Sequence, residues 1–182
     1  MEQVLIVDND DSFVYNIVEM LRPLASLHVV KHNALPPLEG FNKILLSPGA
    51  GLPTDYPAMM ELLRHPSPTR SILGICLGHQ AIALSFGAKL RLLSEPKHGH
   101  CSTLTPPLLG ICTVGRYHSW VVDEADFPPE LLVTSRDEEG NIMSLRHRTL
   151  PVTGVQFHPE SIITAHGVEL FRTWISGRET IG

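Results

Sequence analysis

The chain has 182 residues, with 14 Lys+Arg against 19 Asp+Glu for a formal charge of −5. That length suits a single domain, 1–182, able to bury a core without disulfides. The acidic balance lacks the basic footprint of a nucleic-acid binder. The longest uncharged stretches, such as 71–88 with His79, Gln80 and three glycines, are too polar to suggest a membrane span.

Met1-Glu2-Gln3-Val4 has no basic region before its apolar run, so it is not read as a secretory signal. Three cysteines are an odd count; they argue against a disulfide framework and for a reducing cytoplasm. In chain order, Val4–Val7 is a continuous apolar run, the pattern of a strand covered on both faces. A helix follows, with Asp11 or Ser12 as cap, Phe13, Ile17, Leu21 and Leu24 at helical spacing, and Pro23 at its end. Leu27–Lys31 and Lys43–Leu46 read as strands, the second stopping at the loop Ser47-Pro48-Gly49-Ala50-Gly51. Ala58–Arg64 is a short helix, Ser71–Ile75 a strand, and Gly78–Phe86 a helix stopped by Gly87.

This alternation predicts an α/β fold: an open, mostly parallel twisted sheet flanked by helices. The second half has shorter strand candidates at Leu131–Ser135, Ile142–Arg146 and Val152–Phe157, and no strong helical period before a last helix near Gly167–Ile175. These strands are expected to extend the sheet, partly in antiparallel sense.

Gly74-Ile75-Cys76-Leu77-Gly78 lies where a buried strand meets a helix. It matches a nucleophile elbow with Cys in place of Ser. Glycines two residues either side allow the sharp turn, the following helix aims N–H groups at the sulfur, and the Leu77 N–H is placed to hold an oxyanion. A small buried core cysteine is the competing reading. A thiolate attacking an amide needs a histidine as base and acid. Of ten histidines two stand out. His79 is three residues beyond Cys76. His158 ends a strand in Gln156-Phe157-His158-Pro159-Glu160-Ser161, and an extended segment would point Glu160 the same way, to orient it. Only His158 has such a carboxylate, so it is preferred.

The Gly49-x-Gly51 loop is not a dinucleotide fingerprint, because Gly-x-Gly-x-x-Gly fails at Thr54; it is better placed as a second oxyanion donor. Cys76-x-x-His79 and His98-x-His100-Cys101 lack partners at metal-finger spacing, so neither a metal nor a cofactor is expected. Cys101 and Cys112 are most simply structural thiols.

These segments, 74–80 and 154–161, resemble those of the triad-type (class I) glutamine amidotransferases. Asp8–Phe13, Ser47–Pro53 and Arg116-Tyr117-His118-Ser119 narrow the resemblance to the glutaminase component II of anthranilate synthase and aminodeoxychorismate synthase, nearly end to end. The resemblance implies Cys76 as nucleophile, His158 as base and acid, and Glu160 as its orienter. It implies oxyanion or substrate contacts from Gly49, Ala50, Gly51, Leu77, Gln80, Ser119 and Trp120. It also implies L-glutamine as substrate and, for a partner, a chorismate-binding component I subunit, to which ammonia passes through a tunnel, with His98-Gly99 on the partner-facing side. Ala50 stands where the family usually has Pro, which frees φ, adds an N–H and predicts a more mobile loop. Trp120 stands where Leu is usual, and 99–116 is shorter than usual. Two other readings are a stand-alone cysteine amidase or γ-glutamyl hydrolase, and a catalytically silent binding module of the same fold.

Overall fold

The computed structural model of the chain describes residues 1–177. Nine strands form one sheet in the order β2-β1-β3-β4-β9-β8-β7-β5-β6. β1 (Gln3–Asn9), β2 (Ser26–Lys31), β3 (Lys43–Gly49), β4 (Ser71–Ile75) and β9 (Val152–Val155) pair in parallel. β8 (Ile142–His147), β7 (Leu131–Arg136), β5 (Lys89–Leu108) and β6 (Ile111–Asp123) continue the sheet in antiparallel sense.

The centre of the parallel half is buried because β1 and β3 carry unbroken apolar runs, while β2 at the edge stays partly exposed. Val4, Leu5, Ile6 and Val7 of β1 are fully buried, and so are Ile44, Leu45 and Leu46 of β3. Their side chains alternate between two apolar layers, since successive strand residues face opposite ways. Val4, Ile6, Leu45 and Leu73 join one layer, with Ile17 and Leu21 of α1 (Val14–Leu21) and Leu170, Phe171 and Trp174 of α4 (Val168–Ser176). Leu5, Val7, Ile44 and Leu46 join the other, with Met59 and Leu63 of α2 (Pro57–Leu63) and Leu77, Ala81 and Ile82 of α3 (Leu77–Ser85). Burying each such side chain contributes roughly 1.5–3 kcal/mol. Among the described residues no helix is long and apolar enough to cross a membrane.

Several boundaries differ from the sequence expectation. α1 begins only at Val14, and no side chain caps it. Asp11 instead closes the turn before it, accepting from the Phe13 amide at 2.8 Å through its carboxylate. β3 runs on through Ser47 and Pro48 to Gly49, carrying the strand into the expected loop. The larger difference is the β5–β6 ribbon, which the sequence pattern did not reveal. Pro96, Gly99, Pro106 and Pro107 interrupt β5, and its pairing with β6 slips register three times, between Leu92 and Lys97, His98 and His100, and Thr103 and Leu108. In β6 buried positions are taken by Arg116 and His118, so alternation of apolar and polar residues is lost.

Candidate functional site

The C-terminal ends of β3, β4 and β9 converge on Cys76, which links β4 to α3. Its backbone has φ 53° and ψ −100°, a conformation strongly disfavoured for a residue with a Cβ. The turn exists because its neighbours lack side chains. A Cβ on Gly74 would overlap the Gly78 backbone, and one on Gly78 would overlap the Leu46 carbonyl. The Cys76 amide is anchored on the Val155 carbonyl of β9 at 2.8 Å, and the Cys76 carbonyl accepts the Gln80 amide at 3.1 Å. The thiol therefore stands at the N-terminus of α3, where N–H groups lack partners and the helix dipole favours negative charge. The cysteine is 5% exposed, with its sulfur on the wall of two cavities.

His158 reaches the same place from the end of β9. The His158 amide donates to the Gly115 carbonyl at 3.0 Å, and its carbonyl accepts the Thr164 hydroxyl at 2.6 Å. Phe13 and Tyr117 meet its ring edge-on, with centroids 5.2 and 5.0 Å away. Nδ1 lies 2.6 Å from Glu160 Oε1. An extended segment is not what brings these two side chains together. The chain turns after His158, with the Ser161 amide donating to the His158 carbonyl at 3.1 Å, and the turn folds Glu160 back onto the ring. His158 Nε2 is buried with no nitrogen or oxygen partner. Burial alone would depress the pKa of His158; the negative charge of a Cys76 thiolate, with the Glu160 carboxylate, overcomes this and raises it to about 10. The protonated ring is the state of His158 that this arrangement favours.

His79, the other histidine considered, points away from this chemistry. It is fully buried in α3 against Gly154. Burial lowers its pKa to about 4, leaving it neutral.

On one side of Cys76 a cavity of about 250 Å³ is lined by Gly49, Ala50, Gly51, Leu77, Gln80, Ser119 and Trp120, together with Tyr117 and His118. All seven residues expected at the substrate thus share one wall system. The Ser47–Gly51 segment is more firmly tied than the exchange of Pro for Ala50 suggests. The Tyr56 hydroxyl donates to the Ala50 carbonyl at 2.8 Å. Asn9 bonds Ser47 twice, from its amide to the hydroxyl and from its side chain to the carbonyl, both at 2.9 Å. On the other side a cavity of about 260 Å³ runs past His158, Phe13, Asp11, Ser12 and His98.

Two residues at the site were not singled out in the sequence. Gln156 directs its side-chain amide at Cys76 Sγ, 3.6 Å away, and accepts from Gln80 Nε2 at 3.1 Å. Its place immediately after β9, two residues before His158, was the available signal. Tyr56 had none, since a tyrosine at a helix start is unremarkable. Among the described residues no group of three or more His, Cys, Asp or Glu side chains is arranged to hold a metal ion. Cys76, Cys101 and Cys112 are all free thiols, the last two exposed.

Comparison with known proteins identifies the family and the fold. Residues 5–176 match the family model for class-I glutamine amidotransferases. The chain is 36% identical to the aminodeoxychorismate/anthranilate synthase component 2 of Bacillus subtilis, over 94% of this chain and 95% of that one. It is 38% identical to the anthranilate synthase component 2 of Pseudomonas putida, over 94% and 96% of the two chains. Among solved structures it superposes with a TM-score of 0.82 on a Thermoplasma acidophilum protein provisionally assigned to GMP synthase, at 25% identity and covering 97% and 93% of the chains. It also shares the fold of a glutamine amidotransferase from Thermotoga maritima, with a TM-score of 0.59 at 19% identity over 87% and 76% of the chains. The chain belongs to the class-I glutamine amidotransferase family.

Proposed function

We propose that this chain, acting as a single amidotransferase domain, hydrolyses the side-chain amide of L-glutamine and supplies the ammonia to a chorismate-binding synthase subunit. The observation that carries the reading is the position of Cys76. It lines one cavity with Gly49, Ala50, Gly51, Leu77, Ser119 and Trp120 and a second with His158, whose Nδ1 is held by Glu160.

The Cys76 thiolate attacks the amide carbon, and the carbonyl oxygen becomes an oxyanion held by N–H groups of Leu77 and of the Gly49–Gly51 loop. Protonated His158 gives its proton to the departing nitrogen, the C–N bond breaks, and ammonia leaves with a γ-glutamyl thioester on Cys76. Now neutral, His158 takes a proton from water; the hydroxide attacks the thioester, and glutamate leaves with the Cys76–His158 ion pair restored. Glu160 accepts the Nδ1–H hydrogen bond throughout and keeps the ring oriented. Ammonia released on the His158 side meets the second cavity, beside His98.

The names of the relatives point to the recipient. Component 2 of anthranilate or aminodeoxychorismate synthase pairs with a component that uses chorismate, and the same partner is proposed here, in either pathway. Three free thiols suit a reducing cytoplasm. The test is steady-state glutamine hydrolysis by the chain alone and with a chorismate-binding synthase subunit. Slow hydrolysis that accelerates with chorismate and the subunit, and products retaining the glutamine amide nitrogen, are expected. Rapid hydrolysis indifferent to the subunit would mark a stand-alone amidase.

A further inference from the structure

Arg116 and His118 take no part in the chemistry above, yet they join a buried polar network beside it, in which Arg116 bonds through Nε and Nη1 while its Nη2 has no partner. Arg116 is fully buried, a state arginine rarely adopts unless paired. Arg116 Nη1 lies 2.5 Å from Asp137 Oδ2, with both side chains fully buried, and donates to Ser102 Oγ at 3.1 Å. Asp137 is held in turn by the amides of Glu139 and Asn141, at 3.0 and 2.7 Å, and by Asn141 Nδ2 at 2.7 Å.

Arg116 Nε also donates to His118 Nε2 at 3.0 Å. A guanidinium nitrogen is always a donor here, so His118 Nε2 must accept and the ring proton must sit on Nδ1. Nδ1 lies 2.9 Å from the Trp120 carbonyl, to which it therefore donates. Burial, reinforced by the Arg116 charge, keeps the ring neutral, with its pKa lowered to about 3. The same Trp120 carbonyl accepts Gln80 Nε2 from α3 at 2.8 Å. Both of its lone pairs are thus occupied by side chains.

This matters because the sheet holds the segment at His118 and Trp120 but not between them. Pairing with β5 slips between Leu92–Trp120 and Lys97–His118, where β5 carries extra residues and Ser119 has no registered partner. Side-chain bonds replace the missing ladder, at the point where Ser119 and Trp120 line the cavity beside Cys76.

We propose that Arg116 and His118 are positioning residues for the glutamine pocket. The Asp137–Arg116 pair sets the His118 tautomer, and the His118 proton locks the Trp120 carbonyl, which fixes the Ser119–Trp120 wall against the substrate. The proposal rests on the glutamine reading of that cavity.

The test uses the full chain and two alkylating probes of Cys76. Iodoacetamide reads the reactivity of the thiol. A chloroketone analogue of glutamine, through saturable inactivation, reads affinity for the pocket. The variants are His118→Leu, which fills the volume, and His118→Asn, which returns an N–H donor near the Nδ1 position. The expected result for His118→Leu is an analogue concentration for half-maximal inactivation raised about tenfold, with the iodoacetamide rate within about twofold of the parent. His118→Asn recovers most of that affinity. A packing role alone gives the reverse order, with His118→Leu equal to the parent, and overturns the proposal. So does parallel slowing of both probes, which would mean that the Cys76 site itself is disturbed. If the parent chain reacts with iodoacetamide at Cys76 but shows no saturation with the analogue, the glutamine reading fails and takes this proposal with it. Saturation in the parent with no change in His118→Leu removes this proposal alone.

Discussion

His158 Nδ1 and Glu160 Oε1 lie 2.6 Å apart, with the two side chains 2% and 0% exposed. Burial opposes the charged ring, but the Cys76 thiolate and then the Glu160 carboxylate outweigh it and raise the pKa of His158 to about 10, from 6.5 for a free histidine. A group whose folded pKa is raised contributes stability that is fully present below its unfolded pKa and is lost as pH climbs to the folded value. In the proposed ion pair the Cys76 thiolate takes up a proton on unfolding where His158 gives one up, so the pair's contribution to the unfolding free energy should decline only between the free-thiol value of about pH 8.5 and about pH 10. Cys76→Ser removes the thiolate, so it should lower the His158 pKa and move that decline to lower pH. Ring-proton NMR of His158 across this range, with denaturant titrations at each pH, checks both effects.

The strained turn at Cys76 carries a stability cost. A residue held in such a backbone region costs about 1–3 kcal/mol, and glycine is largely relieved of it. Cys76→Gly should unfold at higher denaturant than the parent, by about 1 kcal/mol, while losing glutamine hydrolysis. Cys76→Ala should lose hydrolysis without that gain. Equal stability of the two variants would show that the turn stores no strain.

The glycines of the turn should tolerate nothing larger. In Gly78→Ala the new Cβ meets the Leu46 carbonyl, which is backbone inside the sheet and cannot swing aside. A loss of roughly 3 kcal/mol or more is expected, beyond the usual range for a surface helix position. Urea unfolding monitored by far-ultraviolet circular dichroism measures it.

Gln156 should matter to the nucleophile. Its side-chain amide, 3.6 Å from Cys76 Sγ, supplies a side-chain donor to the sulfur beside the N–H groups of the α3 N-terminus. Gln156→Leu removes the donor, keeps the volume and leaves Gln80 Nε2 still bonded to Trp120. A fall of about tenfold in kcat/KM is expected, equivalent to a charge-assisted bond of about 1.4 kcal/mol. Slower iodoacetamide alkylation of Cys76 should accompany it.

Tyr56 offers a gentler probe of the oxyanion loop. Tyr56→Phe removes the 2.8 Å bond to the Ala50 carbonyl and the longer 3.4 Å contact to the Asn9 carbonyl, and leaves the Asn9–Ser47 ties intact. Stability should fall by about 1 kcal/mol. The effect on turnover should appear in kcat more than in KM, because the loop N–H groups are needed most when charge develops on the oxygen. Paired kinetics and thermal melts separate the two.

The first half of the fold was legible because its central strands are doubly buried and read as apolar runs such as Val4–Val7, with helices carrying ordinary stops among them. Cys76 was legible because Gly74 and Gly78 mark a turn only glycine allows. His158 and Glu160 were legible as a pair, although a turn and not an extended strand joins them. The β5–β6 ribbon was not. Its prolines argue against a strand, and in β6 the inward positions are filled by an arginine and a histidine whose burial depends on Asp137, distant in sequence. Gln156 and Tyr56 escaped for a related reason. Their roles come from contacts to residues 80 and 6 positions away, which no local period encodes.

The central claim is that Cys76 forms a covalent bond to the glutamine side chain. The chain is incubated with glutamine, quenched in acid within the first turnovers, and digested for mass mapping. A γ-glutamyl adduct on the Cys76 peptide is predicted, absent from Cys76→Ala, whose glutamine hydrolysis falls to background. Undiminished hydrolysis by Cys76→Ala, or an adduct on Cys101 or Cys112 in place of Cys76, would contradict the account.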